Sequence, residues 1–318
     1  MRSSLLIAVP ILDSVYYANA MESMWVARPA TDEAFVLGEG PVWDAARQRL
    51  LWVDIRSGLV LIGTLGADRI DIVEQLQFPG TVGAVAPAID GRLVVAAQEG
   101  LVFVDVNGQR SEGPRLLPAG AGRRLNDGKP DPVGRLLVGS LLMDEPGREV
   151  LVRLEPNGGI TVIDDDLTLS NGLGWPADGR LLYTVDTYRR TIWVRDYDMD
   201  TGVVGARRAF VTLTDGYPDG MCIDEEDHLW VAIYGGGQVR RFSPEGRLAG
   251  VVEVPVPNVT CAAFAGPNLR TLVITTATQK LSAEELAQFP LSGRVFLADV
   301  GVAGAPVAYW EPPYGTIG

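Results

Sequence analysis

Six positions carry the residue types from which chemistry can be read: Glu39, Val82, Asn126, Asn171, Asp219 and Thr260. They lie 43, 44, 45, 48 and 41 residues apart. Each opens a short extended stretch, then a turn rich in Asp, Gly or Asn, then a β-rich strand, as in NGLGWPADGRLLYTVD from Asn171 and DGMCIDEEDHLWVAIY from Asp219. If the units are copies of one repeat, these positions stand at one height, and the four polar side chains (Glu39, Asn126, Asn171, Asp219) point into one narrow space. Two like charges and two amides gathered there are unfavourable with nothing between them. A divalent cation meets that need, because hard cations take oxygen ligands from Asp, Glu and Asn. One Asn-Gly or Asp-Gly dipeptide is ordinary turn chemistry. Four polar leads in register are more than that. The glycines that follow, Gly40, Gly172 and Gly220, are expected to let the backbone pass close to an axis without a side-chain clash.

The elements needed to hold such a space are strands. The chain has 318 residues, is 47% hydrophobic and 21% charged, and so can bury a large core. Runs of Val, Ile, Leu and aromatics alternate with turns, and a second strand usually follows the first in each unit, as in GLVLIGTL, GLVFVDV and TIWVRDYD. Six units at this spacing predict an all-β fold, a six-bladed β-propeller with a metal site near its central channel. The propeller is expected over residues 24–318, with residues 1–23 as an N-terminal extension. The stretch 24–36 should give an outer strand to the last blade and close the ring. The one helical pattern is SAEELAQF at 282–289, where a serine precedes a glutamate by three residues, a capping box.

Composition excludes several functions. A net charge of −13 without a basic stripe argues against nucleic acid as a partner. No apolar run is long enough to span a membrane as a helix, so no membrane partner is expected and the compartment expected is the cytoplasm. Export is the alternative if MRSSLLIAVPILDSVYYANA acts as a signal peptide, although Pro10 and Asp13 interrupt it. Two cysteines, Cys222 and Cys261, sit beside apolar residues and fit core packing. The single histidine, His228, lies in the turn EEDH, which removes His-dependent triads and two-His metal motifs.

LGEGPVWD, RLNDGKPDPVGR, LSNGLGW, YPDGMCID and the following LWVA together resemble the senescence marker protein (regucalcin), gluconolactonase and luciferin-regenerating-enzyme-like family. The resemblance runs from about Phe35 to about Asp299, with the motifs in family order. It implies a six-bladed propeller holding one divalent cation near its axis, with Glu39, Asn171 and Asp219 as protein ligands. It also implies Arg124, Asn126 and Asp127 on the substrate side, hydrolysis of sugar lactones to aldonic acids, and Asp219 as general base. The loop SLLMDEPGREV at 140–150 is shorter than the lid-like loop of animal members, which leaves the sugar open; Asp144 and Glu145 within it read as solvated charges.

A lactone carbonyl needs polarisation and a nucleophile. A cation can polarise the carbonyl or acidify a water, and a neighbouring carboxylate can accept the proton. Asp219 combines charge with a lead position, whereas Glu39 reads as a more purely structural ligand. Arg124 and Asn126 are placed to bond sugar hydroxyls or a developing oxyanion; the plainer alternative for Arg124 is a surface ion pair. Lys129 and Asp131 read as solvated or structural. The ligand set suits Ca²⁺ first, and Zn²⁺, Mn²⁺, Mg²⁺ or Fe²⁺ as well. The same site also accommodates other esters, non-sugar lactones or phosphotriesters, or a propeller that binds calcium or a ligand without turnover.

Overall fold

Strands such as Arg49–Asp54 (RLLWVD) and Leu229–Tyr234 (LWVAIY) are nearly continuous apolar runs, buried along almost their whole length. Such strands must be covered on both faces, and β-branched and aromatic side chains suit that pleated surface. The computed structural model describes residues 23–142 and 147–312. The N-terminal signal-like stretch and the loop carboxylates Asp144 and Glu145 therefore lie outside the described residues.

The strands form six sheets. The first strand of each is Gly38–Asp44, Val82–Pro87, Arg123–Pro130, Ser170–Gly174, Tyr217–Ile223 and Val259–Ala265, defining blades one to six in chain order. Each of these strands touches its counterpart in both neighbouring blades, and the sixth returns to the first. The ring is closed, as the repeat predicts for a six-bladed propeller.

Closure uses the N-terminal segment in two ways. Arg28–Pro29 pairs antiparallel with Phe296–Asp299 and supplies the outer strand of the sixth blade, as the sequence suggests. Ser23–Val26 instead runs parallel to Leu248–Glu253 as a fifth strand on the fifth blade. The ring of Trp25 lies 5.3 Å from that of Trp230 there, which fixes the added strand against the blade beneath it.

Between blades the faces are apolar. Leu37, Val53, Val60, Val82 and Val95 pack between the first two blades, and Trp230, Val252, Phe264 and Phe296 between the last two. Each such side chain contributes roughly 2–3 kcal/mol of burial. Two buried carboxylates of this frame are well satisfied. Asp54 accepts from the backbone N–H of Val36 and Leu37, at 3.0 Å each, and tethers the incoming chain. Asp131 accepts from the N–H of Val133 and Arg135 and pairs with Arg135 Nε at 2.6 Å. The helix Ala283–Gln288 is capped by Ser282, with Glu285 completing the box.

Candidate metal centre and active site

In every blade the pairing of first and second strands slips near the lead position. The shifts fall between Glu39 and Val42, Val82 and Ala84, Leu125 and Gly128, Asn171 and Leu173, Pro218 and Met221, and Val259 and Cys261. A bulge sets two residues against one and re-aims a side chain. The six leads are not strictly equivalent, as the repeat alone suggested. Glu39, Val82 and Asn171 are the last paired residues before the slip, whereas Asn126, Asp219 and Thr260 lie within it. Val82 packs into the core and the Thr260 hydroxyl donates to the Gly38 carbonyl at 2.6 Å, so both serve the frame.

The glycines have a different steric reason from the one expected. A Cβ on Gly83 would meet the Asn126 carbonyl, on Gly172 the Asp219 carbonyl at 2.7 Å, and on Gly220 the Cys261 thiol. The close approach is to the next blade. Gly40 has open space around it and is required by its φ of +52.

The bulges assemble a row of hydrogen bonds across three blades. Arg124 Nη1 donates to Asn126 Oδ1 at 2.6 Å; Asn126 Nδ2 donates to Asn171 Oδ1 at 2.6 Å and to the Ser170 carbonyl at 2.9 Å. Asn171 Nδ2 donates to Thr187 Oγ1, whose hydroxyl donates to the Pro218 carbonyl, both at 2.9 Å. Thr187 thereby turns the Asn171 amide so that its oxygen faces Asn126. Nothing in VDTYRR marks Thr187 for this task; its partners lie in other parts of the chain.

Glu39 and Asp219 are both buried and, among the described residues, neither forms an ion pair. Asp219 Oδ1 is buried without any hydrogen-bond partner. Burial first, then the neighbouring Asp219 and Asp127 charges, push the Glu39 carboxyl well above its ordinary range. Burial and Asp127 do the same for Asp219, against the opposing pull of Arg124 and Lys280. Arg124 is buried as well, with Nε unpartnered; burial and the nearby Arg56 lower its pKa to about 10. Tyr188 and Tyr234 stand at the mouth, both with pKa raised by burial and then by Asp219.

Asp127 departs from its neighbours. Set deeper in the bulge, it lines a cavity of about 400 Å³ at the opposite end of the channel, with Lys129, Cys222 and Cys261. Its walls are mainly apolar, and Lys129 Nζ already donates to the Leu173 and Met221 carbonyls, at 2.8 and 2.9 Å. At the lead-residue end the unpartnered buried atoms are those of charged groups, Asp219 Oδ1 and Arg124 Nε. A second cluster, Asp224, Glu226 and His228, has ligand atoms within 4.8 Å of one another. Its counter-charge is already present: Arg241 Nη2 lies 2.7 Å from Asp224 and 2.6 Å from Glu226.

An all-oxygen donor set, two buried carboxylates outside any ion pair among the described residues and an orphaned Asp219 oxygen fit a hard divalent cation. The model of the SMP-30/gluconolactonase/LRE-like region matches residues 37–278. The chain belongs to this family. It is 37% identical over 279 residues to a 6-deoxy-6-sulfogluconolactonase of Pseudomonas putida, covering 85% of this chain and 93% of that one. It is 34% identical over 277 residues to regucalcin of Danio rerio, with the same coverage of 85% and 93%. Among solved structures, a calcium-binding regucalcin from Agrobacterium tumefaciens superposes with a TM-score of 0.84 at 28% identity, over 93% of this chain and 99% of the other. The six-bladed propeller is thus the family fold, and the family match spans all six lead positions.

Proposed function

We propose that this chain is a divalent-cation-dependent hydrolase that opens sugar lactones to aldonic acids. Glu39, Asn171 and Asp219 would hold the cation, and Asp219 would accept the proton. The observation that carries this is the buried, unpaired couple of Glu39 and Asp219, with one Asp219 oxygen lacking any partner. Left alone, such a couple costs several kcal/mol, so its retention points to a ligand. The names of relatives, a sulfogluconolactonase and the pentonolactonase XacC of Haloferax volcanii, support sugar lactones as the substrate class.

When bound, the cation supplies Lewis-acid polarisation or acidifies water. The chain's own residues do the rest. Asp219 takes the proton of the attacking water, a role worth about 10²–10⁴ in rate. The water oxygen bonds to the carbonyl carbon, the ring C–O bond breaks, and Asp219 returns the proton to the departing ring oxygen, which becomes a hydroxyl of the open-chain acid. Arg124 presents its free Nε–H to the substrate oxygen on which charge develops. Asn126 has committed both amide protons to Asn171 and Ser170. It acts as a positioning residue for Arg124 and Asn171, with Oδ1 as its remaining contact toward a sugar. The role of Asp127 is electrostatic, since it raises the proton affinity of both axial carboxyls.

The test is proton release during lactone opening, with spontaneous hydrolysis subtracted. Metal-stripped protein should regain turnover with an added divalent cation, and Asp219→Asn should stay inactive while remaining folded. Turnover in the stripped protein, or full activity in the variant, removes this function.

A further inference from the structure

The rim above the axial carboxylates carries cations that the lactone chemistry does not use. Arg56 lies in the turn between the second and third strands of the first blade, and Lys280 in the corresponding loop of the sixth. Both loops open on the face of the lead residues. Arg56 Nε donates to Gln279 Oε1 at 2.6 Å, and the Gln279 carbonyl accepts from Tyr234 Oη at 3.1 Å and Asn258 Nδ2 at 3.0 Å. This arc links blades five, six and one over Glu39 and Asp219. It fixes the Arg56 guanidinium by one edge, and its two terminal nitrogens have no partner among the described residues.

The cations here have no carboxylate of their own. Among the described residues Arg56, Lys280 and Arg124 form no ion pair, although the chain carries 40 acidic residues against 27 Lys and Arg. Most arginines elsewhere on the propeller are paired, as with Arg240 and Asp215 at 2.7 Å or Arg195 and Asp164 at 2.7 Å, and of those outside ion pairs Arg110 and Arg190 lie instead over the rings of Phe78 and Tyr217. The repulsion is felt inside the site: Arg56 is the leading charge that lowers the pKa of the buried Arg124. Lys280 also has a backbone φ of +66, a region favoured by Gly or Asn, so lysine is not there to suit the turn.

We propose that Arg56 and Lys280 are specificity-determining residues that receive an anionic group, a phosphate, sulfonate or carboxylate, on the end of the substrate remote from the lactone carbonyl. Arg124 would serve the reacting end and the rim pair the tail. A guanidinium held by Nε presents its remaining donors as a fork, the geometry that suits such oxyanions. This rests on the sugar-lactone function proposed above and narrows it to acidic sugar lactones.

The experiment compares kcat/KM of the cation-loaded protein for glucono-1,5-lactone and for its analogues bearing phosphate or sulfonate at C6. A parallel titration measures binding of gluconate and its C6 phosphate. The wild type should prefer the charged lactones by about tenfold or more, with the preference fading as salt rises. Arg56→Gln combined with Lys280→Gln should lower that ratio by about tenfold through KM. The charge-keeping Arg56→Lys with Lys280→Arg should retain most of it. A wild-type ratio at or below one, or a parallel fall for both substrates, overturns the assignment. If no lactone turns over, the hydrolase function fails, and the titration still decides this inference: equal binding of the two acids refutes it, and tighter phosphate binding lost in the glutamine variant supports it.

Discussion

Asn126 donates its amide Nδ2–H to Asn171 Oδ1 across 2.6 Å, joining the third blade to the fourth directly beside the candidate cation site. Through this bond the residue expected on the substrate side orients a residue expected to hold the metal. Asn126→Ala should therefore weaken cation binding by about tenfold to a hundredfold, although Asn126 is not among the assigned ligands. Calorimetric titration of stripped protein with Ca²⁺ measures this. An unchanged Kd together with a raised KM would place Asn126 on the substrate alone.

The raised carboxyls predict an unusual stability profile. Glu39 and Asp219 bind protons more tightly in the folded state than at their ordinary values of 4.5 and 3.8. Their contribution to stability is present below those values and is lost as pH rises through the raised ones. Stripped protein should melt at lower temperature as pH moves from 5 toward neutrality, about 2–4 °C for each kcal/mol lost. Added cation should cancel the trend, because it replaces the protons. A flat Tm in chelator over this range argues against the electrostatic account.

Asp219→Asn should then separate function from stability. Removing one of two buried like charges should raise the Tm of stripped protein at neutral pH by roughly 1–2 kcal/mol equivalent. It should also abolish most stabilisation by the cation and lower turnover by about 10² or more. A variant less stable than wild type in chelator would mean that Asp219 has a structural partner after all.

The two kinds of inner-strand glycine should respond differently to alanine. Gly83→Ala drives a methyl into the Asn126 and Leu125 carbonyls, backbone atoms of the next blade, and should cost about 3 kcal/mol. Gly40→Ala meets no atom and suffers from its positive φ alone, about 1–2 kcal/mol. Urea unfolding of both variants, at matched cation occupancy, orders them. Equal losses would show that the blade contact at Gly83 costs no more than the backbone conformation at Gly40.

Trp25 tests ring closure. Its ring packs on Trp230 and covers Gly250, at the seam where the parallel strand joins the fifth blade. Trp25→Ala should cost about 2–3 kcal/mol, seen as a lower urea midpoint with little change in cation affinity, since the site lies on other strands. A change in affinity instead of stability would connect this edge to the axis.

The repeat and its consequences were legible in the chain alone. A period of 41 to 48 residues, strand and turn chemistry within each unit, and the Ser282–Glu285 capping box are local patterns, written by neighbours along the chain. The polar leads Glu39, Asn126, Asn171 and Asp219 could be listed from that period, and the structure does gather them. How they meet is a matter of tertiary structure. A bulge shifts strand register by one residue, which a two-residue periodicity does not encode, so half the leads stand before the slip and half within it. The clasp of Thr187 on Asn171, the contact of each glycine with the following blade, the parallel strand Ser23–Val26, the turning of Asp127 toward the far cavity and the placing of Arg56 beside Gln279 all join residues distant in the chain or hinge on that one-residue slip. Such relations depend on how six blades close around an axis. They exist only once the ring has formed.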